Sequence, residues 1–230
     1  MFQNIYNQLY SKYGPQGWWP IISLNKKGVN PTKTGSIKGY HPEDYSYPKD
    51  NSQKFEIIIG TILTQNTSWT NVEKALINLK KENCLSPKKI LEMNPEKLKE
   101  LIRPAGYFNQ KAKRAKIIAK WFLELKSIPS KKELLSIHGI GQETADSILL
   151  YAFNQPSFVI DTYTKRILTN LKIIQGTEKY SEIKKLIESN LKKDFKLFQE
   201  YHALLVEHAK HFYLKKENYK KDFLLDSIKK

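Results

Sequence analysis

The sequence predicts an all-α fold. Three observations point there. Apolar residues recur at helical spacing along nearly the whole chain, short turns marked by Gly or Pro separate those stretches, and two turns carry a capping residue followed by proline. The first helix is expected over 1–12, where MFQNIYNQLYSK reads as amphipathic. Segment 20–53 then loses the helical period. It is rich in Gly, Pro, Lys, Ser and Tyr and reads as one long loop, whose end, GYHPEDYSYP, has enough aromatic residues to pack on the body. Helices follow over 54–64 and 68–81. Ser86-Pro87 and Asn94-Pro95 open helices over 87–92 and 95–102, because the Ser or Asn side chain accepts from the first-turn N–H groups and proline fits the first helical position. Pro104 and Gly106 mark the turn into 109–126, and Pro129 the turn into 131–136. The helix over 142–153 ends before Pro156. The remaining helices are expected over 162–173, 180–192, 195–212 and 219–228. No internal repeat, heptad run or low-complexity tract interrupts this order.

Composition narrows the class. A length of 230 residues suits one body or two intimate lobes, and 40% hydrophobic residues exclude a disordered chain. The net charge of +16 calls for a polyanionic partner, nucleic acid first and an anionic membrane surface second. Part of that charge belongs to a Lys and Ile bias that an A·T-rich genome would also produce. No apolar run approaches the ~20 residues that span a bilayer. The N-terminus lacks the basic start and apolar core of a signal peptide. The one cysteine, Cys84, leaves no intrachain disulfide or multi-thiolate metal site, and it reads as a small hydrophobe near a helix end. An intracellular place, cytoplasmic or nucleoid-associated, and a monomer are the defaults.

The segment from Leu134 to Arg166, LLSIHGIGQETADSILLYAFNQPSFVIDTYTKR, concentrates the chemistry. It reads as two helices joined by a tight turn, Gly139-Ile140-Gly141, followed by a loop and an acid, Asp161, at the start of another helix. A helix N-terminus exposes backbone N–H groups that bind phosphate without a cationic side chain. Gly139 and Gly141 are both expected to be small so that the chain can turn and approach phosphate closely. On the residues alone, Gly-x-Gly is also an ordinary interhelical turn, and Asp161 an ordinary helix cap.

That segment resembles the helix-hairpin-helix and Gly/Pro-Asp signature of the endonuclease III superfamily of DNA glycosylases. Outside it, ILTQNTSWTNVEKAL (Ile62 to Leu76), IRPAGYFNQKAKRAKIIA (Ile102 to Ala119) and HALLVEHAKHFY (His202 to Tyr213) resemble further family segments in the expected order, so the likeness covers about 54–213. It implies two helical lobes with a DNA-binding cleft between them. One is a bundle over 56–160 containing the hairpin at 131–153, and the other joins 1–55 to 161–230. The partner implied is double-stranded DNA with a damaged base.

Two departures refine this. Where family members that also cleave the strand have a lysine, this chain has Glu143, which cannot form a Schiff base. The first ligand position of the family's iron–sulfur cluster falls on Tyr213, and the usual spacing then gives Lys220, Phe223 and Lys229, so no cluster is expected. Both departures, with GWWP and the TQNT-aromatic run, are similar to the endonuclease-III-like 3-methyladenine DNA glycosylases. The resemblance then implies a base pocket of Trp18, Trp19, Pro20, Trp69 and a lysine on the late helix, Lys210 or else Lys216, which is carbamylated in at least one member. One of the adjacent tryptophans is expected in the core and the other in the pocket.

The same resemblance implies Asp161 as the catalytic carboxylate, stabilising an oxocarbenium-like sugar or activating water. Gln65 and Tyr107 fall at wedge positions that fill the gap left by a flipped base. Gly139, Ile140, Gly141, Gln142, Thr144, Lys165 and Arg166 would hold the DNA backbone, with Lys111, Lys113 and Arg114 as further phosphate contacts. A monovalent cation at the hairpin carbonyls is the one ion anticipated. No metal site built from side chains is expected, since the only hint is His208 and His211 three residues apart, read as one packed and one solvated histidine. His138 reads as a solvated turn residue, and Glu143 as a solvated helix residue or a second acid. The expected activity is that of a monofunctional glycosylase acting on an alkylated purine. A glycosylase with lyase activity on oxidised or deaminated bases and a non-catalytic DNA-binding module are the alternatives.

Overall fold

The computed structural model describes residues 1–24, 29–32 and 38–228. Its regular elements are helical: α1 (Phe2–Tyr13), α2 (Asn51–Thr64), α3 (Trp69–Lys81), α4 (Pro87–Glu92), α5 (Pro95–Ile102), α6 (Phe108–Glu124), α7 (Lys131–Ser136), α8 (Gln142–Ser147), α9 (Thr162–Asn170), α10 (Tyr180–Glu188), α11 (Phe195–Phe212) and α12 (Leu224–Ile228). Extended pairing among the described residues is limited to one bridge, Val29 with Tyr40. Capping follows the sequence. Ser86 and Asn94 accept from Lys89 N and Glu96 N ahead of their prolines, and Asp50, Ser130, Asp161 and Asp194 cap their helices in the same way.

α2 is the buried centre, with every residue from Phe55 to Leu63 inside. It packs on α3, α6 and the π-helical turn Ile148–Ala152 that continues α8. α4 and α5 cover α6. At the other side, α1 lies on α11, which also packs on α9. The π turn touches both α2 and α11, so the two groups of helices share one continuous core.

Several expected boundaries move for local reasons. The helix expected over 219–228 is a 3-10 turn (Lys216–Lys221) followed by α12. Asp222 interrupts it, because its carboxylate accepts from Leu224 N at 2.8 Å and caps the new helix instead of continuing the old one. The helix expected over 162–173 stops at Asn170, where Lys172 turns left-handed and Ile173 N bonds back to Leu168 O. α2 begins three residues early, on its Asp50 cap.

The 20–53 loop does pack on the body where it is described: Tyr40 and Pro48 are buried, Tyr45 donates to Glu200, and Asn154 donates to the Tyr47 carbonyl. Its stretches 25–28 and 33–37, like Lys229 of the cluster spacing, lie outside the described residues. Among the described residues no helix is long and apolar enough to cross a membrane.

Candidate active site

Asp161 starts α9 as its N-cap. One carboxylate oxygen accepts from Thr164 N at 2.7 Å and Thr164 Oγ1 at 2.8 Å. The other faces His202 Nε2 of α11 at 3.7 Å. Burial alone would raise the Asp161 carboxyl, but His202 and the two Thr164 bonds outweigh it and hold it below the ordinary carboxylate range. The group is therefore an anion at neutral pH although little of it meets water. Glu143, in the first turn of α8, is pushed the opposite way. Crowding of its carboxyl and the charge of Asp161 raise it to about 6, against the pull of His202 and Lys165. The two carboxyls thus have separated affinities for a proton, even though Glu143 as a whole residue remains exposed.

Aromatic rings gather beside the histidine that faces Asp161. Trp18 meets the His202 ring edge-on at 5.9 Å and 86°, and Trp19 meets Tyr151 at 5.4 Å and Trp69 at 5.5 Å. Trp19 is buried against α2, where Gly60 makes the room: a Cβ there would come within 3.1 Å of the indole nitrogen. Trp18 and Trp69 keep partial exposure, and Pro20 is buried. Lys210 does not join the cluster by any bond. Its ammonium pairs with Glu207 at 2.9 Å, two helical turns beyond His202. Lys216, the second candidate, is exposed in the 3-10 turn.

The hairpin turn puts its demand on Gly139. That residue has φ 88°, and a Cβ would lie 2.5 Å from the Arg114 side chain. Gly141 differs: its backbone is extended and a Cβ would meet open space, so the turn itself does not demand glycine there. As N-cap of α8, Gly141 has no side chain to occupy the first-turn N–H groups. Gln142 is exposed beside it. Ile140 and Thr144 are buried, and the Thr144 hydroxyl accepts from Gln65 Nε2, so neither side chain is open to a ligand. Of the hairpin carbonyls anticipated around a cation, Gly139 O accepts from Gln65 Nε2 and Ile137 O from Ile140 N. His138 is exposed, as expected of a turn residue.

Gln65 and Tyr107 line one opening of about 160 Å³ with Asn66, Gln110, Lys111 and Arg114. Tyr107 is 65% exposed and left-handed at φ 47°, which excludes core packing for it. Lys111 corrects an expectation. It is buried and donates to Leu63 O and Ala105 O, so its charge caps helix ends and does not face phosphate. Burial, with Arg114 nearby, lowers it to about 8. Arg114 donates to Gln65, while Lys113 and Arg166 are exposed and Lys165 half-buried.

At the C-terminal side Tyr213 is fully buried. Its hydroxyl donates to Asp222, whose other oxygen lies 3.0 Å from His208 Nε2, and His208 Nδ1 meets Tyr13 OH at 2.9 Å. These residues fill the region with polar side chains and supply no thiolate, so they do not fit an iron–sulfur cluster. Among the described residues no group of three or more His, Cys, Asp or Glu could hold a metal ion. His208 is packed and His211 is 52% exposed, one packed and one solvated histidine as anticipated.

His202 and Tyr151 are the residues that sequence reasoning passed over at this site. Nothing local distinguishes a buried helical histidine, and the useful signal is a pairing across 51 residues.

The family model described as HhH-GPD superfamily base excision DNA repair protein matches residues 59–193. A Methanocaldococcus jannaschii protein provisionally named a DNA repair glycosylase is 43% identical over 228 residues, covering 94% of this chain and 90% of that protein. Endonuclease III of Thermotoga maritima is 32% identical over 153 residues, 63% of this chain and 71% of that one. Among solved structures, H. pylori 3-methyladenine DNA glycosylase (MagIII) bound to 1,N6-ethenoadenine aligns with TM-score 0.66 and 26% identity, covering 91% of this chain and 97% of that chain. An endonuclease III–DNA complex aligns with TM-score 0.72 at 16% identity over 99% of this chain and 94% of that chain, a likeness of fold.

Proposed function

Because this chain belongs to the HhH-GPD superfamily of base excision DNA repair proteins, we propose that it is a monofunctional DNA glycosylase that flips a damaged base, favoured as an alkylated purine, and hydrolyses its N-glycosidic bond. One observation carries the reading: an ionised, nearly dry carboxylate, Asp161, faces a histidine that is itself in edge contact with a tryptophan of the Trp18–Trp19–Trp69 cluster. An electron-rich ring face attracts a cationic base, and an alkylated purine is cationic. As the bond to that base breaks, positive charge grows on the sugar. A fixed carboxylate stabilises it and takes the proton of the attacking water.

The hairpin would bind backbone phosphate through the open N–H groups after Gly141, with Lys165, Arg166 and Lys113 adding charge. Gln65 and Tyr107 would enter the gap left by the flipped nucleotide. A monovalent cation could use the remaining lone pairs of the hairpin carbonyls, and no step here depends on it. Lys210, paired with Glu207, would join the base pocket only on leaving that pair. Glu143 supports hydrolysis without a covalent sugar intermediate, since it replaces the amine that would form one.

The test uses duplexes with single defined lesions, incubated with wild type and Asp161→Asn, then read with and without alkali. Scission that needs alkali and disappears in the variant supports the reading. Scission without alkali points to a lyase, and tight binding with no cleavage of any lesion points to a DNA-binding module.

A further inference from the structure

Asp161 uses one oxygen on Thr164, and its other oxygen lies 3.7 Å from His202 Nε2. That nitrogen is buried without a hydrogen-bond partner. A buried polar atom left unpaired is costly, and such atoms in native folds mark either strain or a bond completed in another state. The opposite ring nitrogen is fixed, with Nδ1 2.7 Å from Tyr151 OH, and that hydroxyl also lies 3.3 Å from Gln199 O.

This small network has a definite proton logic. Burial, with Glu200 and Asp161 nearby, raises Tyr151 far above the ordinary phenol range, so its hydroxyl keeps its proton. When the ring is neutral, the Asp161 carboxylate facing Nε2 favours the tautomer with its proton there, and Tyr151 then donates to Nδ1. When the ring is cationic, Nδ1–H donates to the Tyr151 oxygen and Tyr151 donates to Gln199 O. In both states Nε2 carries a hydrogen, and in both it faces Asp161. Shortening the contact by about 0.8 Å would make it a full hydrogen bond, and bonds of this kind are commonly long in a free enzyme and tighten in the substrate complex.

We propose that His202 is a positioning residue for Asp161: held from behind by Tyr151, it presents an Nε2–H donor to the carboxylate oxygen that Thr164 leaves free, keeping that oxygen aimed and ionised as the glycosidic bond breaks. This rests on the reading of Asp161 as the catalytic carboxylate. The other charged and titratable groups around the pair are Glu143 from α8, Tyr151 from the π turn, Lys165 on α9, and Glu200, two residues before His202 on α11.

The experiment measures single-turnover excision against pH for wild type, Asp161→Asn, His202→Ala, His202→Gln and Tyr151→Phe, on the lesion that wild type excises best. Carboxyl ¹³C NMR follows the titration of Asp161 without substrate. His202→Ala is expected to slow excision at neutral pH by tenfold or more and to move the acid limb and the Asp161 titration up by about one unit, the scale of a lost hydrogen bond to a carboxylate. His202→Gln, which restores a neutral donor, is expected to recover much of both. Tyr151→Phe removes the anchor and is expected to shift the limb in the same direction by less, and it keeps the test open if the alanine variant does not fold. An inert Asp161→Asn with unshifted limbs and titration in the histidine and tyrosine variants overturns this proposal alone. A fully active Asp161→Asn overturns it together with the reading of the carboxylate.

Discussion

Gln65 Nε2 donates to the carbonyl of Gly139 at 3.1 Å, and this bond ties the corner after α2 to the hairpin turn. The same amide reaches Thr144 Oγ1, while its oxygen accepts from Arg114, whose side chain lies where a Cβ on Gly139 would be. One side chain thus links the proposed wedge to the proposed phosphate grip. Gln65→Leu keeps the size and removes all three bonds. At about 1 kcal/mol per bond before compensation by water, we expect DNA affinity to fall roughly fivefold or more and excision to fall further. Titration of a lesion duplex beside single-turnover rates checks this, and unchanged affinity would separate the two functions.

The position of Glu143 beside Asp161 predicts a gain of function. Glu143→Lys should place an amine where the sugar carbon is attacked, so that borohydride traps a covalent protein–DNA adduct that wild type does not form. Absence of an adduct at any pH, with excision retained, would show that residue 143 does not reach the sugar.

Tyr107 is both exposed and left-handed, a conformation costing of order 1–3 kcal/mol that no buried contact of its ring repays. Tyr107→Asn tolerates that backbone better. We expect its thermal midpoint to hold or rise by a few degrees while excision falls about tenfold or more. A drop in both would mean that the ring stabilises the fold.

Glu56 gives a pH dependence with a definite sign. Burial raises its carboxyl from 4.5 to about 7, against Ile22 N and Lys80, which lower it. Below pH 4.5 both folded and unfolded chains hold the proton. Between 4.5 and 7 only the folded chain holds it, so stability falls as pH rises, by on the order of 3 kcal/mol in total. Glu56→Gln removes this slope and should be more stable than wild type at pH 8 and similar at pH 4.5, by urea unfolding. Parallel curves would refute it.

Asp222 has the opposite sign. Burial would raise it, but His208, Tyr213 and Leu224 N hold it below the ordinary carboxylate range. Its contribution is present above the ordinary value of 3.8 and is lost as pH falls through the folded value. Asp222→Asn should cost about 2 kcal/mol at neutral pH, since it takes a carboxylate acceptor from the buried His208 and Tyr213, and the gap should narrow in acid. Thermal unfolding from pH 7 to pH 3 measures it.

The sequence by itself determined the all-α class, the order of the main helices, the caps Ser86, Asn94 and Asp161, the hairpin turn and the acid that follows it. Each is decided by residues within a few positions of one another: Ser86 caps Lys89, Asp161 caps Thr164, and Gly139 turns because no side chain obstructs it. Tertiary structure decided what those residues meet. It buried Lys111 against two helix ends, assigned the turn's demand to Gly139 and not Gly141, and gave Gly60 its purpose under Trp19. It also set His202 against Asp161 with Tyr151 behind it. Burial, and with it the charge a carboxyl or ammonium can hold, depends on partners that the chain brings together only on folding. Periodicity and capping carry no record of those partners.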